Sequence, residues 1–384
     1  MTTSAGERRL LIEPFDPRVP MVGGVDTCIR GLVKFAPDDM SLAIVGLDVV
    51  GDATLGEWMK VELDGRTVMF MPVYRGDNAV IRPRVPHVIN LTFGVLKNLR
   101  AFRRFDTIQT HRVSLGFVAR LFLGRRPHVQ FVHNDGADSL SVGTESYFAK
   151  AKWAFRLFEA LSVKSSREVV VFNREATARL SAHGSNVHFS PTWYDDDRFF
   201  PAADDAPVRT RTNFVWLARF EPPKDPLLAV ETMAHTPEGM HLTMMGTGSL
   251  LSDAQQRAEE LGVSDRITFA GIVKKEEVGQ VLRGYDGLLM TSFHEGFPRA
   301  VVESLASGLP VATTAGGEPN GLVQEHVNGA RSDDRRPESL AAALERLSAL
   351  DAQACRESVV DLSASKLVPV VLGASARPAQ EATP

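Results

Sequence analysis

The chain has 384 residues, of which 44% are hydrophobic and 23% are charged, and its formal net charge at pH 7 is −4. This balance is that of an ordinary globular protein, and the length suggests about two domains. The small negative charge gives no basic field over the whole chain, so nucleic acid is not an expected partner.

Cysteine usage and the apolar runs indicate the compartment. The two cysteines, Cys28 and Cys355, cannot form a disulfide framework and have no metal-ligand spacing, which favours a reducing cytoplasm. No apolar run reaches the roughly 18 residues of a spanning helix, and the N-terminal segment lacks the apolar core of a secretion signal. We therefore expect a cytoplasmic protein in which no metal site is evident.

The N-terminal half alternates short apolar runs with helical periodicities, which predicts a parallel α/β domain. Gly23 and Gly24 open a helical pattern, and such a loop lets the backbone approach an anion or a sugar closely. Asp64-Gly65 separates two alternating runs and predicts a hairpin turn. Strands are expected at residues 9–12, 41–47, 68–72, 107–109, 129–133 and 168–173.

Two of these strands lead into a histidine. His111, followed by Arg112, comes directly after one strand, and His133 ends the next, two residues before Asp135. Ligands of doubly wound sheets lie beyond the carboxyl ends of the strands, so either ring can face a ligand. From the residues alone, a histidine that only makes hydrogen bonds at a strand end explains the pattern equally well.

Residues 148–164 predict a helix that places Trp153, Phe155, Phe158 and Leu161 among basic side chains. Such a helix can rest on an anionic membrane surface. A buried helix with an aromatic core face and a solvated basic face has the same pattern, and we favour that interpretation.

Residues 201–212, rich in proline, aspartate and alanine, predict a linker to a second domain. Regular alternation of strands and helices follows, which predicts a second doubly wound parallel sheet. Its expected strands are 213–218, 242–245, 267–271, 287–291 and 310–314, and its expected helices include 250–261, 278–282 and 337–350.

Candidate binding residues follow the first two strands of this second sheet. Arg219 and Lys224 lie in the loop after the first strand, where two cations suit a diphosphate. Gly246 and Gly248 come after the second strand and before a helix, which is the context of a nucleotide-binding glycine loop. A solvated loop and an ordinary turn are the simpler alternatives.

The strongest sequence signal is a pair of glutamates on either side of the start of a predicted helix. Glu295 precedes Pro298, whose missing N–H suits a first helical turn, and Glu303 lies inside the helix. The backbone N–H groups of Gly296 and Phe297 lie near a helix start, which binds phosphate readily. Carboxylates beside such a site would repel phosphate, so they suit sugar hydroxyls, although a surface pair of glutamates has the same spacing.

The run from His294 to Val311, His-Glu-Gly-Phe-Pro…Val-Glu-Ser-Leu-Ala-Ser-Gly-Leu-Pro-Val, resembles the Glu-x7-Glu motif of retaining glycosyltransferases of family 4. The resemblance covers most of residues 214–329, with weaker echoes over 23–200. It implies an α/β protein of the GT-B fold, with two Rossmann-like doubly wound parallel-sheet domains facing across a cleft. The expected parts are an acceptor-side domain at 1–200, a nucleotide-sugar-binding domain at 201–361, and a crossover segment with a disordered tail at 362–384.

This resemblance also implies an activity: a hexosyl group moves, with retention, from a nucleotide-diphosphate sugar to a hydroxyl of a cell-surface glycan, glycolipid or metabolite. Catalytic roles fall to His133, Glu295, Arg219 and Lys224. Substrate-binding roles fall to Gly23, Gly24, Gly246, Gly248, Ile272, Gly296, Phe297, Pro298 and Glu303.

No cofactor and no metal are expected, because cationic side chains and backbone amides can balance the leaving diphosphate. The expected partners are the sugar donor and a hydroxyl acceptor that the sequence does not identify, and contact with the inner face of a membrane stays open. Two alternatives are a sugar-nucleotide epimerase of the GT-B fold and a non-catalytic sugar-nucleotide binding protein. A nicotinamide-dependent dehydrogenase should carry Gly-x-Gly-x-x-Gly, and Gly246-Thr247-Gly248 has no third glycine.

Overall fold

A computed structural model describes residues 6–20, 24–76, 85–124, 126–133, 152–202 and 212–373, and for residues 152–155 it describes the backbone alone. The chain divides into two compact units. The first runs up to Pro191 and resumes at Val368, and the second is Thr192–Leu367. The boundaries expected from the sequence, after residues 200 and 361, differ from this division at both places.

The first unit is built on one eight-stranded sheet. Its strands are β1 (Arg8–Ile12), β2 (Ser41–Asp48), β3 (Met59–Leu63), β4 (Arg66–Arg75), β5 (Thr107–Thr110), β6 (His128–Val132), β7 (Glu168–Val171) and β8 (Val187–Phe189). Their order is β3-β4-β2-β1-β5-β6-β7-β8. The pairings are parallel except that of β3 with β4. Most parallel strands are continuous buried runs, which is typical of a sheet covered on both faces.

The hairpin of β3 and β4 is the one that the sequence predicted. Asp64 and Gly65 form its turn with φ of 48° and 83°, and a two-residue turn of this kind requires positive φ at both positions. The register Val61 opposite Val68 follows from that turn length. Local turn chemistry therefore sets the pairing at this edge of the sheet.

Five helices accompany this sheet in the described residues: α1 (Gly24–Lys34), α2 (His87–Lys97), α3 (Val113–Phe122), α4 (Lys152–Ser165) and α5 (Arg174–Ser181). Helix α4 corrects an expectation. Phe158 and Leu161 are 37% and 40% exposed, so the favoured interpretation of a buried aromatic face is wrong for these two residues. The side chains of Trp153 and Phe155 lie outside the described residues.

The second unit contains a six-stranded sheet. Its strands are β9 (Asn213–Leu217), β10 (His241–Met245), β11 (Ile267–Gly271), β12 (Gly287–Met290), β13 (Val311–Thr314) and β14 (Gly329–Ser332). Their order is β11-β10-β9-β12-β13-β14, and the pairings are parallel. The five strands predicted for this domain are confirmed to within one residue at each end.

The described helices of the C-terminal part are α6 (Pro226–Met233), α7 (Leu251–Glu260), α8 (Val278–Leu282), α9 (Arg299–Ala306), α10 (Pro337–Arg346), α11 (Ala352–Glu357) and α12 (Ala364–Val371). Two apolar clusters lie against the sheet because side chains alternate along each strand. Trp216 and Leu289 belong to one cluster, and Val215 and Leu288 belong to the other. Among the described helices, none has the length and apolar character needed to span a membrane.

Helix α9 is anchored by its buried face. Val301, Val302 and Leu305 are fully buried in the cluster that contains Val215 and Leu288. This packing fixes the orientation of α9 against the sheet and therefore the position of its N-terminal end.

Leu305→Ala should lower the free energy of unfolding by about 2–5 kcal/mol, since it removes buried methyl groups and leaves a cavity. Val327→Ala is a suitable control because Val327 is 41% exposed, and it should change stability by less than about 0.5 kcal/mol. Urea unfolding of both variants measures the difference. Equal stability losses would contradict the buried packing of α9.

Candidate functional site

The loops at the carboxyl ends of the second sheet carry most of the residues singled out by the sequence. The strand order β11-β10-β9-β12-β13-β14 changes direction between β9 and β12. In open parallel sheets this change leaves a crevice beyond the strand ends, and ligands bind there. The loops after β9 and β12 lie on its two sides.

Lys224 and Glu295 join these two loops. Lys224 Nζ forms an ion pair with Glu295 Oε1, and Ser292 Oγ donates to the same carboxylate oxygen at 2.7 Å. The backbone N–H of Phe293 also donates to the carbonyl of Pro223 at 2.9 Å. The paired side chains stay 25% and 14% exposed, so solvent or a ligand can reach them. The structure thus brings together two of the four residues predicted to be catalytic.

A buried tryptophan supports the loop after β9. Trp216 Nε1 donates to Thr291 Oγ1 at 2.9 Å. The Thr291 hydroxyl lies 2.9 Å from the carbonyl oxygen of Lys224 and 2.8 Å from that of Asp225, and it can donate to one of them. Because Trp216 and Thr291 are buried, the backbone at Lys224 is held from inside the domain. Neither residue was predicted to belong to the site.

Arg335 is another residue of this region that was not predicted from the sequence. Its guanidinium donates to the carbonyl oxygens of Thr291 at 2.8 Å and Ser292 at 3.0 Å, and it pairs with the Asp225 carboxylate. It also lies 3.8 Å from the ring centroid of Phe293. The planar fork of an arginine suits such convergent contacts. Arg335 therefore clamps the loop after β12 to the start of α6.

The start of α9 lies one residue later than expected. Helix α9 begins at Arg299, and Pro298 is its N-cap residue with φ −77° and ψ 102°. The expectation that Pro298 occupies the first helical turn is therefore wrong, because its extended ψ precedes the helical region. Gly296 and Phe297 lie in the loop immediately before this cap.

Glu303 lies one turn into α9. Its Oε1 is 3.4 Å from Arg299 Nη2. Burial raises the pKa of the Glu303 carboxyl above its usual range, and the charge of Arg299 opposes part of this shift. The Glu303 side chain is 14% exposed, so a ligand can reach it. A partly buried carboxylate with a raised pKa is stabilised by further hydrogen-bond donors, and sugar hydroxyls are donors of that kind.

The loop before α9 is braced from the neighbouring strand. The buried Glu318 carboxylate accepts the backbone N–H of Asn320 at 2.8 Å, and Asn320 Nδ2 donates to the carbonyl of Gly296 at 2.9 Å. A Cβ on Gly316 would lie 2.1 Å from the carbonyl oxygen of Phe293. The glycine-rich segment after β13 therefore has a packing role: it lets two loops approach closely.

The remaining predicted residues of this domain follow the strands β9, β10 and β11. Gly246 has φ of +137°, and a Cβ there would lie 1.9 Å from a backbone carbonyl oxygen of the neighbouring loop. A Cβ on Gly248 would lie 2.3 Å from another. Close backbone packing thus explains both glycines. Arg219 and Ile272 are exposed, and Ile272 is 71% accessible to solvent.

In the first unit, two histidines meet at the carboxyl ends of β5 and β6. His111 Nδ1 lies 2.8 Å from His133 Nε2. Burial lowers the pKa of His111 well below its usual range, and the positive charge of Arg112 lowers it further. His111 is buried, whereas His133 is only partly so.

The predicted glycines and the charged residues near the two histidines in sequence complete the candidates of the first unit. Gly24 is the exposed first residue of α1, and Gly23 and Asp135 lie outside the described residues. Arg112 Nε donates to Glu13 Oε1 at 2.7 Å. Burial raises the pKa of Glu13, and Arg112 opposes that shift. Glu13 was not among the residues predicted from the sequence.

Cys28 lies close to the two histidines. Its Sγ and one nitrogen of each imidazole are within 4.8 Å of one another. The sequence shows no metal-ligand spacing because these residues are distant in the chain. Thiolate and imidazole are ligands that Zn²⁺ accepts. His111 Nδ1 and His133 Nε2 already meet in a hydrogen bond, so an ion bound to both of these nitrogens would have to displace its proton.

Residues 204–358 match the family model described as Glycosyl transferases group 1, and they form a domain of that family. LpsE of Rhizobium meliloti, a lipopolysaccharide core biosynthesis glycosyltransferase, is 31% identical over 143 residues, which are 37% of this chain and 40% of that protein. D-inositol 3-phosphate glycosyltransferase of Mycolicibacterium smegmatis is 28% identical over 232 residues, 56% of this chain and 53% of that protein. The chain spans about a quarter to about half of the length of these and similar curated relatives.

Solved structures resemble nearly the whole chain. Sucrose-phosphate synthase from Thermosynechococcus elongatus aligns over 96% of this chain and 98% of its own, with a TM-score of 0.75 and 18% identity. HepE from Anabaena, solved with UDP and glucose, aligns over 96% of this chain and 100% of its own, with a TM-score of 0.69 and 17% identity. These similarities confirm the predicted GT-B fold of two parallel-sheet α/β domains.

Glu303→Gln should raise the free energy of unfolding of the ligand-free protein at pH 7, because glutamine removes the cost of burying an ionised carboxylate. The folded pKa is raised, so this cost disappears once both folded and unfolded states are protonated, below the unfolded pKa of about 4.3. The gain should therefore shrink as the pH falls from the raised pKa towards that value. Urea unfolding across this pH range measures it, and a gain that does not depend on pH would contradict the assignment.

Proposed function

Starting from the glycosyl transferases group 1 domain that residues 204–358 form, we propose that this protein transfers a hexosyl group from a nucleotide-diphosphate sugar to an acceptor hydroxyl. The contact between Lys224 and Glu295 at the strand-order reversal carries this proposal. It places a cation suited to the diphosphate beside a carboxylate suited to the sugar hydroxyls.

The main chemical demand is the negative charge that grows on the diphosphate as the anomeric bond breaks. Lys224 and Arg219, together with the backbone N–H groups around Gly296 and Phe297, are assigned to that charge. Such preorganised donors act as electrostatic catalysts. We propose that they make a divalent metal unnecessary, and that no other cofactor takes part.

The ion pair in the ligand-free protein is compatible with this role. Lys224 carries three N–H donors, so it can keep Glu295 and still donate to a phosphate oxygen. Glu295 in turn keeps one carboxylate oxygen for a sugar hydroxyl, since Lys224 and Ser292 both contact Oε1. The pair therefore holds both groups in place before the donor arrives.

The remaining roles follow the resemblance to family 4. Glu303 is assigned to the ribose, and Gly246, Gly248 and Ile272 to the nucleotide. His133 and Gly24 of the first unit are assigned to the hexose and the diphosphate. Retention at the anomeric carbon, by attack from the face that the diphosphate leaves, is part of the proposal, and the anomeric coupling in the NMR spectrum of the product tests it.

Two alternatives fit the same fold. A sugar-nucleotide epimerase would produce an isomeric donor without any acceptor. A binding protein would hold the donor and never release free nucleoside diphosphate. Release of nucleoside diphosphate that depends on the acceptor separates the proposed transferase from both, and a screen of UDP-, GDP- and ADP-sugars identifies the base.

The acceptor is proposed to belong to a cell-surface glycan, a glycolipid or a metabolite, as the names of the relatives suggest. Exposed apolar residues favour a lipid-linked acceptor. Phe93 of α2 is 62% exposed, and Leu121 of α3 and Leu157 of α4 are 61% and 50% exposed. Arg120 of α3 and Arg156 of α4 are also exposed, and this combination of apolar and basic side chains suits an anionic membrane surface.

Lys224→Ala and Glu303→Ala should each lower kcat/KM for the preferred donor at least about tenfold, which corresponds to about 1.4 kcal/mol. Each change removes a group assigned to the donor. Lys274→Ala is the matched control because that side chain is 78% exposed, and its kinetics should stay near those of the unaltered protein. Unchanged kinetics in both site variants would contradict the assignment of Lys224 and Glu303 to the donor site. That result would not by itself contradict the proposed transferase activity.

The protein should co-sediment with vesicles rich in anionic lipid and much less with zwitterionic vesicles. Replacing Leu121 and Phe122 together by serine should weaken this binding severalfold, because these side chains are 61% and 41% exposed and the change removes apolar surface without disturbing the core. Substituting the exposed Val360 by serine in the second unit serves as the control. Equal binding of all three proteins would exclude this surface as the membrane contact.

A further inference from the structure

We propose that Arg9, Gln109 and His111 fix the tautomer of His133, so that its Nδ1 carries the proton and acts as a hydrogen-bond donor. A chain of hydrogen bonds through the first unit carries this inference. The identity of the substrate oxygen that accepts this hydrogen bond rests on the proposed function, whereas the tautomer of His133 does not.

The chain starts at a buried cation. Arg9 is 4% exposed, and its guanidinium can only donate hydrogen bonds. Its Nη1 lies 3.3 Å from Gln109 Oε1, while Nε and Nη2 donate to Glu7 at 3.2 Å and 3.1 Å. The guanidinium also donates to the carbonyl of Leu372 at 2.9 Å. These contacts hold the group that faces Gln109.

Arg9 decides the orientation of the Gln109 amide. Oxygen and nitrogen of an amide are assigned from their neighbours, and an amide nitrogen facing a guanidinium would set donor against donor. Oε1 therefore faces Arg9, and Nε2 faces His111 Nε2 at 2.9 Å. Because the amide nitrogen carries hydrogens, it donates, and His111 Nε2 must accept. Gln109 is buried, so water does not offer it another partner.

The tautomer of His111 sets the direction of its hydrogen bond to His133. A neutral imidazole carries one proton, and with Nε2 accepting, that proton lies on Nδ1. Nδ1 then donates to His133 Nε2 at 2.8 Å. A protonated His111 would direct an Nε2–H at the hydrogens of Gln109, and burial already lowers the pKa of His111 well below its usual range.

The geometry of the two rings suits this bond. Their planes differ by only 14°, and their centroids are 5.1 Å apart, so the N–H of His111 lies near the plane of the accepting ring. Phe131 lies against His111 with centroids 4.9 Å apart, and Phe172 lies against His133 at 5.0 Å. The aromatic neighbours restrict rotation of both rings.

The hydrogen bond from His111 determines which nitrogen of His133 carries the proton. With Nε2 accepting from His111, the proton of the neutral ring is on Nδ1. His133 can then donate to a sugar hydroxyl oxygen, and it cannot act as a base through Nδ1 while the chain is intact. His111 and Gln109 are positioning residues, since they act through His133.

The test is to read the tautomers directly by two-bond ¹⁵N–¹H correlation spectra of the full-length protein labelled with ¹⁵N-histidine. The chain has ten histidines, and the spectra of His111→Asn and His133→Asn assign the two signals. Both histidines should show a protonated Nδ1. A protonated Nε2 on His133, or an even mixture of tautomers, would overturn the proposal.

Gln109→Glu should reverse the chain. A carboxylate still pairs with Arg9 but only accepts, so His111 should carry its proton on Nε2 and accept at Nδ1 from His133 Nε2. His111→Asn is the matched variant, because its amide N–H replaces Nδ1–H and should keep His133 protonated on Nδ1. Thermal unfolding checks that both variants are folded. An unchanged His133 tautomer in folded Gln109→Glu would contradict the chain.

Kinetics with the preferred donor separate this inference from the proposed function. Gln109→Glu should lower kcat/KM about tenfold or more, and His111→Asn should lower it much less. Reversed tautomers with unchanged kinetics would overturn the role of His133 towards the sugar. The expected tautomers in a protein that turns over no sugar nucleotide would support the hydrogen-bond chain and contradict the transferase activity.

Discussion

The ion pair of Lys224 with Glu295 is the contact on which the second unit's site depends. It joins the loops after β9 and β12, where the order of the parallel strands changes direction. Three supports converge on it: Trp216 and Thr291 from within the domain, and Arg335 from the loop after β14. A cation and a carboxylate held together in the ligand-free protein need little rearrangement when a substrate with both phosphate and hydroxyl groups binds.

In the first unit, a chain of buried hydrogen bonds holds the polar groups in place. Its buried polar groups are arranged so that each donor faces an acceptor, from Arg9 through Gln109 to the two histidines. In a low-dielectric interior such a chain has one polarity, because reversing any member sets donor against donor. The second unit therefore carries an ion pair, and the first unit carries an imidazole whose orientation is set by its buried neighbours.

The sequence predicted what depends on neighbours along the chain. Apolar periodicity located the strands, the Asp64-Gly65 turn located the hairpin, and the segment from Glu295 to Glu303 located the loop and helix of the site. Long-range pairings left no local signal. Arg335 meets Asp225 across more than a hundred residues, and Arg9 meets Gln109 similarly. The exposure of Phe158 was also not predicted, because a helix with aromatic and basic residues has one pattern whether its apolar face is buried or bare.

A crystal structure with the nucleoside diphosphate that binds best tests the central claim most directly. We predict that the diphosphate lies within hydrogen-bond distance, about 3 Å, of Lys224 Nζ and of the backbone N–H groups before α9, and that the ribose hydroxyls contact Glu303. A nucleotide bound at another edge of the sheet, with the pair of Lys224 and Glu295 untouched, would contradict it.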